Sequence, residues 1–245
     1  MFSKSRKAVA LGVMLAVGVA GMAFATVADD NDARVIGKVN PAKLDKKKFK
    51  PVNLTLGVRN SDDWFMPGLS ELPESEFIEV SKNVKINLNK RPRCKANISE
   101  GTPTSEVLQR CPKKSVIGTG KAEVSAGPPA GVIGQLDVTV LNGPQKGRLR
   151  LHAYSQPLGV APIIPARIVK AKTKGYGQAL SVPNAPDTGG LLITLFQAKI
   201  GKKTGIAMAR CKQKQIKFKR TVTYGDGSSE SVTSKQKCTV KKKRK

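Results

Sequence analysis

Aromatic residues are scarce in this chain of 245 residues, at 4%, and it has a single histidine, His152. A hydrophobic core must therefore come from Val, Ile and Leu, and imidazole chemistry rests on one side chain. Acids are also few: 17 Asp and Glu stand against 44 Lys and Arg, for a formal net charge of +27 at pH 7. Cys94, Cys111, Cys211 and Cys238 include no Cys-x-x-Cys pair, and His152 is far from each of them in sequence. That sets zinc aside, and no metal or cofactor is expected. Gly118-Thr119-Gly120 lacks the Gly-Lys-Ser/Thr of a phosphate loop, so its glycines are expected to mark a bulge or a close strand crossing. No Gly-x-Ser-x-Gly elbow occurs. Beyond residue 25 no apolar run approaches the roughly 18 residues that a spanning helix needs.

What is present begins with an address. Lys4, Arg6 and Lys7 precede the uncharged run 8–25, which closes on Ala23-Phe24-Ala25 and is followed by Asp29, Asp30 and Asp32. This order is that of a secretory signal peptide over residues 1–28, cleaved after Ala25 or Ala28. The competing reading is a retained anchor, but the run is rich in Ala, Gly and Val rather than Leu and Ile. Export places the four cysteines in an oxidising setting. The pairing Cys94–Cys111 with Cys211–Cys238 is preferred because each bridge closes a short loop. The leader accounts for only three of the positive charges, so the mature protein stays strongly basic and should attract polyanions.

Residues 29–50 carry Lys43, Lys46, Lys47, Lys48 and Lys50 without a hydrophobic period, and read as a flexible basic N-terminal segment. From Pro51 onward the period is two. Val52, Leu54, Leu56 and Val58 alternate with polar residues, as do Val84, Ile86 and Leu88. Leu136, Val138 and Val140 lead to Asn142-Gly143, which suits a tight hairpin turn before Leu149 and Leu151. Leu191, Ile193 and Leu195 supply another strand. Ile216, Phe218, Val222 and Tyr224 run into Gly225-Asp226-Gly227, with Val232 on the return strand. Thr102-Pro103 can start one short helix near 103–110. The expectation is an all-β fold: one large immunoglobulin-like β-sandwich over residues 51–240, with about ten to twelve short strands. Two smaller units divided near 126–131 are the alternative. Residues 241–245 read as a disordered basic tail.

Several segments together carry a resemblance. They are Cys94-Lys-Ala-Asn-Ile, then Cys111-Pro-Lys-Lys-Ser-Val-Ile-Gly-Thr-Gly120, Leu141-Asn-Gly143 and Leu149-x-Leu-His-x-Tyr154. Gly175-Tyr-Gly177 and the hairpin Thr223-Tyr-Gly-Asp-Gly227 between Cys211 and Cys238 complete the set. Over roughly residues 50–240 the chain resembles a group of exported proteins of high-GC Gram-positive bacteria (actinobacteria). The resemblance implies a bacterial source and a β-rich secreted domain, and it brings no activity. The chain departs from the group in its larger lysine excess and basic tail.

The sequence offers three sets of functional residues. His152 would need a nucleophile beside it, but Ser155 falls on the opposite side of a strand, so His152 reads as a strand histidine without chemistry. Asp62, Asp63, Glu71, Glu74, Glu76 and Glu79, with Trp64 and Phe65, cluster in a Pro- and Gly-containing stretch. They read as a mobile acidic loop that balances the basic surface, with glycan or calcium chemistry as the alternative. The third set is basic: Lys199, Lys202, Lys203, Arg210, Lys212, Lys214, Lys217, Lys219 and Arg220, joined by the tail Lys241, Lys242, Lys243, Arg244 and Lys245. Lys217 and Lys219 should line an exposed face while Ile216 and Phe218 face the core. The expectation is an exported, non-enzymatic protein that uses this face on an anionic cell-wall polymer or membrane surface. No recognition helix or zinc finger supports sequence readout of nucleic acid. The alternative is a structural or protein-interaction module whose lysines serve solubility, and a wall-glycan enzyme is a third.

Overall fold

The computed structural model describes residues 34–60, 73–126, 131–183 and 192–241. Residues 1–28, where a leader is expected, residues 29–33 and the tail residues 242–245 lie outside the described residues.

β1 (Arg34–Asn40) opens the described chain, which then passes through the short β2 (Lys43–Leu44) and β3 (Lys50–Pro51) into β4 (Asn53–Arg59). β5 (Pro73–Ser81) leads to β6 (Val84–Ile86) and the helix α1 (Thr104–Arg110). Five long strands follow: β7 (Val116–Ser125), β8 (Val132–Asn142), β9 (Arg148–Tyr154), β10 (Ile163–Lys170) and β11 (Tyr176–Pro183). After β12 (Leu192–Ile200) and the short β13 (Ala207–Ala209), β14 (Gln215–Tyr224) and β15 (Ser229–Lys237) form the last hairpin, and β16 (Thr239–Val240) ends it.

Eleven of these strands make one sheet, in the order β1-β4-β12-β7-β8-β9-β10-β11-β5-β14-β15, and every neighbouring pair is antiparallel. Eleven is odd, so strict alternation leaves β1 and β15 running in the same direction. The two lie side by side, and their extensions β2 and β16 pair in parallel. The all-β class expected from the alternating pattern is found, and its layers are parts of one continuous sheet curled on itself. β1 and β15 share no backbone ladder, so the two edges of the sheet are covered by each other and by the parallel pair β2–β16.

The interior is aliphatic. Val39, Leu54, Val80, Val138, Leu151 and Ile216 come from six different strands and belong to one buried cluster. Phe218 is fully buried within it. A Cβ on Gly37 would fall inside the Phe218 ring, so glycine in β1 makes room for the largest apolar side chain of β14. Outward residues are largely polar, as in Lys38, Thr55, Gln197, Lys199 and Lys121. This is the inverse of a membrane barrel, whose apolar side faces outward.

Residues 29–50 were expected to be flexible, and from Arg34 onward they are not. Val35, Val39 and Leu44 are buried core residues, and β1 pairs along its whole length with β4. Gly37 sits between the two valines where an apolar side chain would have completed the alternation, and this hides the strand. The tight turn expected at Asn142-Gly143 is also corrected. Asn142 is the buried last residue of β8, and the connection runs 143–147. The final hairpin turns at residues 225–228 as expected, with Tyr224 N–H donating to Ser228 O at 3.0 Å.

Both disulfides have the expected partners, Cys94–Cys111 and Cys211–Cys238. Helix α1 also lies where expected, with Pro103 at its N-cap and Cys111 at its C-cap. Val107 on the helix packs with Ile98, Leu141 and the Cys94–Cys111 bridge in a second, smaller cluster. Leu141 alternates with inward Val140, so the segment carrying α1 lies on the outer side of the sheet.

Candidate functional site

Strand direction sorts the connections to two ends. At one end β1, β5, β8, β10, β12 and β15 finish. The connections that leave that end are 41–52, 82–115, 143–147, 171–175, 201–214 and 238–241, and part of the second runs back along the outside of the sheet, where Gly101 N–H donates to Ala161 O at 3.2 Å. These connections hold 23 of the 44 lysines and arginines of the chain, against three carboxylates, Asp45, Glu100 and Glu106. Segments 60–72, 126–131, 155–162, 184–191 and 225–228 join strands at their other ends, and their sequence contains no lysine or arginine. Both disulfides also belong to the basic end.

Most of the expected cations come together there. Lys199 lies near the end of β12 and points outward. Lys202 and Lys203 occupy a single 3-10 turn, anchored by Lys202 N–H donating to Asn53 Oδ1 at 2.7 Å. Arg210, Lys212 and Lys214 lie between β13 and β14, and the Arg210 guanidinium packs on the Phe49 ring at 4.6 Å. Lys85 packs on the same ring at 4.5 Å, so one aromatic carries two cations. Lys217 enters β14 on its outer side and Lys241 follows β16. Lys219 sits further along the wall, with Nζ 3.3 Å from Thr173 Oγ1. Lys242, Lys243, Arg244 and Lys245 lie outside the described residues.

Arg220 does not belong to this surface. It is 1% exposed, its Nε donates to Glu76 Oε1 at 3.0 Å and its Nη2 to Asn60 Oδ1 at 2.6 Å. The cause is parity. Ile216 and Phe218 face inward, so Arg220 faces inward with them. The same alternation that places Lys217 and Lys219 outside was the available signal, and the run of neighbouring cations obscured it.

Sequence reasoning missed a second group. A depression of about 470 Å³ opens at the basic end, and Arg91, Arg93, Lys95 and Lys146 are among its lining residues, none of which is acidic. Its wall is held from behind by Asn142, which is 1% exposed. The Asn142 amide nitrogen lies 3.1 Å from Leu88 O, 2.8 Å from Arg91 O and 3.0 Å from Pro92 O, while Asn142 O accepts from Cys94 N–H at 2.9 Å. Arg91 donates to Thr204 O at 2.9 Å and Lys203 O at 2.6 Å, which ties this segment to the Lys202–Thr204 turn. Arg150 donates to Ala96 O at 2.6 Å, and burial lowers its pKa. The turn propensity of Asn142-Gly143 gives no hint of this role.

The remaining candidates hold the structure together. Glu74, Glu76 and Glu79 were expected in a mobile loop, but they lie in β5, and Glu76 and Glu79 project to opposite sides of it. Glu76 meets Arg220, and burial raises its pKa while the Arg220 charge acts the other way. Glu79 is buried and accepts from Lys172 N–H at 2.8 Å and Thr173 N–H at 2.9 Å. The strand is legible in Phe77, Ile78 and Val80 once the acids are disregarded. Asp62, Asp63, Trp64, Phe65 and Glu71 lie outside the described residues. His152 projects outward from β9 beneath the α1 segment and is fully buried, with Nε2 2.8 Å from Thr102 O. Desolvation lowers its pKa, and the Thr102 carbonyl opposes that. Asp45 is held below the usual carboxylate range by the N–H groups of Lys48 and Lys47, both at 2.7 Å. The expected bulge is found between Val116 and Gly118, and a Cβ on Gly118 or Gly120 would strike β12 carbonyls.

Among the described residues no group of three or more His, Cys, Asp or Glu converges as metal ligands. No helix among them is long and apolar enough to cross a membrane. Comparison of the chain with protein-family models, curated proteins and solved structures returns no match.

Proposed function

We propose that this is an exported, non-enzymatic protein whose basic end associates with anionic polymer or membrane surface of a bacterial cell envelope. The observation that carries the reading is the segregation of charge. Connections at one end of the sheet hold the cations, and those at the other lack them. Like charges repel over about a Debye length, roughly 8 Å at physiological salt, so gathering them opposes folding unless the scaffold resists. The two disulfides at that end supply such resistance. Each contributes about 3 kcal/mol by restricting the unfolded chain.

The non-enzymatic part is supported by where the reactive side chains are engaged. His152 is sealed beneath the α1 segment, and Glu76 and Glu79 neutralise an internal guanidinium and order a loop. Multivalent phosphate or carboxylate contacts release counterions, so binding should fall steeply with salt. The test is retention of the purified protein on isolated cell walls at low and high salt. Elution that rises sharply with salt is expected. Retention that is indifferent to salt would rule out the electrostatic reading.

A further inference from the structure

We infer that the depression between residues 88–95 and 142–147 is a binding site for a phosphate group, the point at which one unit of an anionic polymer is gripped. The polymer part of this rests on the function proposed above.

Lysines at the basic end that are exposed singly, such as Lys46, Lys47 and Lys48, are screened by water and salt. This place is concave, and its volume of about 470 Å³ falls within the roughly 300–1,000 Å³ of small-ligand sites. Its cations come from chain segments some fifty residues apart, Arg91 to Lys95 on one side and Lys146 on the other. With no acid among the described residues of the lining, a bound anion relieves their mutual repulsion. Arg93 and Lys95 flank the buried Cys94 and are themselves exposed.

The frame behind them is set before any ligand arrives. Asn142 engages the carbonyls of Leu88, Arg91 and Pro92. The Cys94–Cys111 bridge and the Arg150 contact to Ala96 hold the residues that follow. A frame ordered in advance lowers the entropic cost of binding. Phosphate suits it better than carboxylate. Phosphate oxygens are arranged over a tetrahedron, so cations on separate segments reach them from different directions, whereas a planar carboxylate suits one guanidinium fork. Pro92, which is exposed in the lining, offers apolar contact to the carbon portion of a polymer unit.

Inorganic phosphate is the probe, titrated into the full-length protein and followed by the amide resonances of Asn89 and Gly147. Sodium acetate at matched ionic strength is the second arm. Saturable phosphate binding is expected, weakened at least about tenfold in Arg93→Ser/Lys95→Ser, which removes two charge-assisted hydrogen-bond donors. Arg91 is left in place because it holds the 203–204 carbonyls. Lys121→Ser/Arg167→Ser removes two exposed wall cations and should leave the affinity within about twofold. Equal weakening in both double variants, or a wild-type protein without saturation, overturns the site. Acetate binding as tightly as phosphate overturns the ligand class. Wild-type protein that is retained on walls yet does not saturate with phosphate refutes the site and leaves the proposed function standing. Saturation with phosphate but no retention on walls supports the site and removes the polymer.

Discussion

The side-chain amide of Gln236 binds the backbone of Val39 in the manner of a neighbouring strand. Its Oε1 accepts from Val39 N–H at 2.7 Å, and its Nε2 donates to Val39 O at 2.8 Å. The pair lies where β1 and β15 meet, just before β2 and β16 pair in parallel. A sheet of eleven alternating strands has no antiparallel partner for its last strand, so the seam is closed partly by a side chain.

Replacing Gln236 by Ala leaves the Val39 peptide groups without these partners. The expected loss is about 1–3 kcal/mol of unfolding free energy, with faster hydrogen exchange at the Val39 amide. A variant whose Val39 amide exchanges as slowly as before would show that the seam holds without Gln236.

Gly37→Ala places a methyl group against the Phe218 ring. Overpacking of this kind costs about 1–3 kcal/mol. Adding Phe218→Leu to Gly37→Ala should recover part of that loss, although Phe218→Leu alone destabilises. Urea denaturation of the four proteins measures the coupling, and strict additivity would contradict the contact.

Arg220 and Glu76 are coupled inside the sheet. Glu76→Ala leaves a buried guanidinium with only part of its neutralisation, at a cost of about 3–5 kcal/mol. Glu76→Leu/Arg220→Met removes both charges and should cost less than Glu76→Ala. If the double variant is the less stable of the two, the buried pair contributes more than its desolvation penalty.

His152 gives folding a definite pH dependence. Its pKa in the folded protein lies below the ordinary value of 6.5, so the unfolded chain takes up a proton that the folded chain refuses. Stability is therefore complete above the unfolded pKa and declines as pH falls through it, until the folded pKa is reached. It is the only histidine. Thermal unfolding between pH 7.5 and 5 should show Tm falling with pH in the wild type, and His152→Gln should flatten the part of the curve around the histidine range. An unchanged slope in the variant would assign the effect elsewhere.

Period-two alternation was enough to read the β class, the last hairpin and most inward residues, because a strand resolves its two sides within a few positions. Leu54, Leu56 and Val58 needed nothing from the rest of the chain. The cystine partners were legible for a similar reason, since each pair is close in sequence. Where glycine, proline or charge interrupts the alternation, as at Gly37 in β1 or among the acids of β5, the strand was invisible until its neighbours were known. Parity could have moved Arg220 inward, but the presence of Glu76 to receive it depends on β5 pairing with β14.

The surplus of positive charge is a property of composition, while its place belongs to topology. Lysines near residues 46, 90, 146, 202 and 212 are remote in sequence and share no local pattern. They come to one end because strand direction alternates across eleven strands and sends those connections the same way. No window of sequence contains that information, because it resides in the order in which distant strands hydrogen-bond.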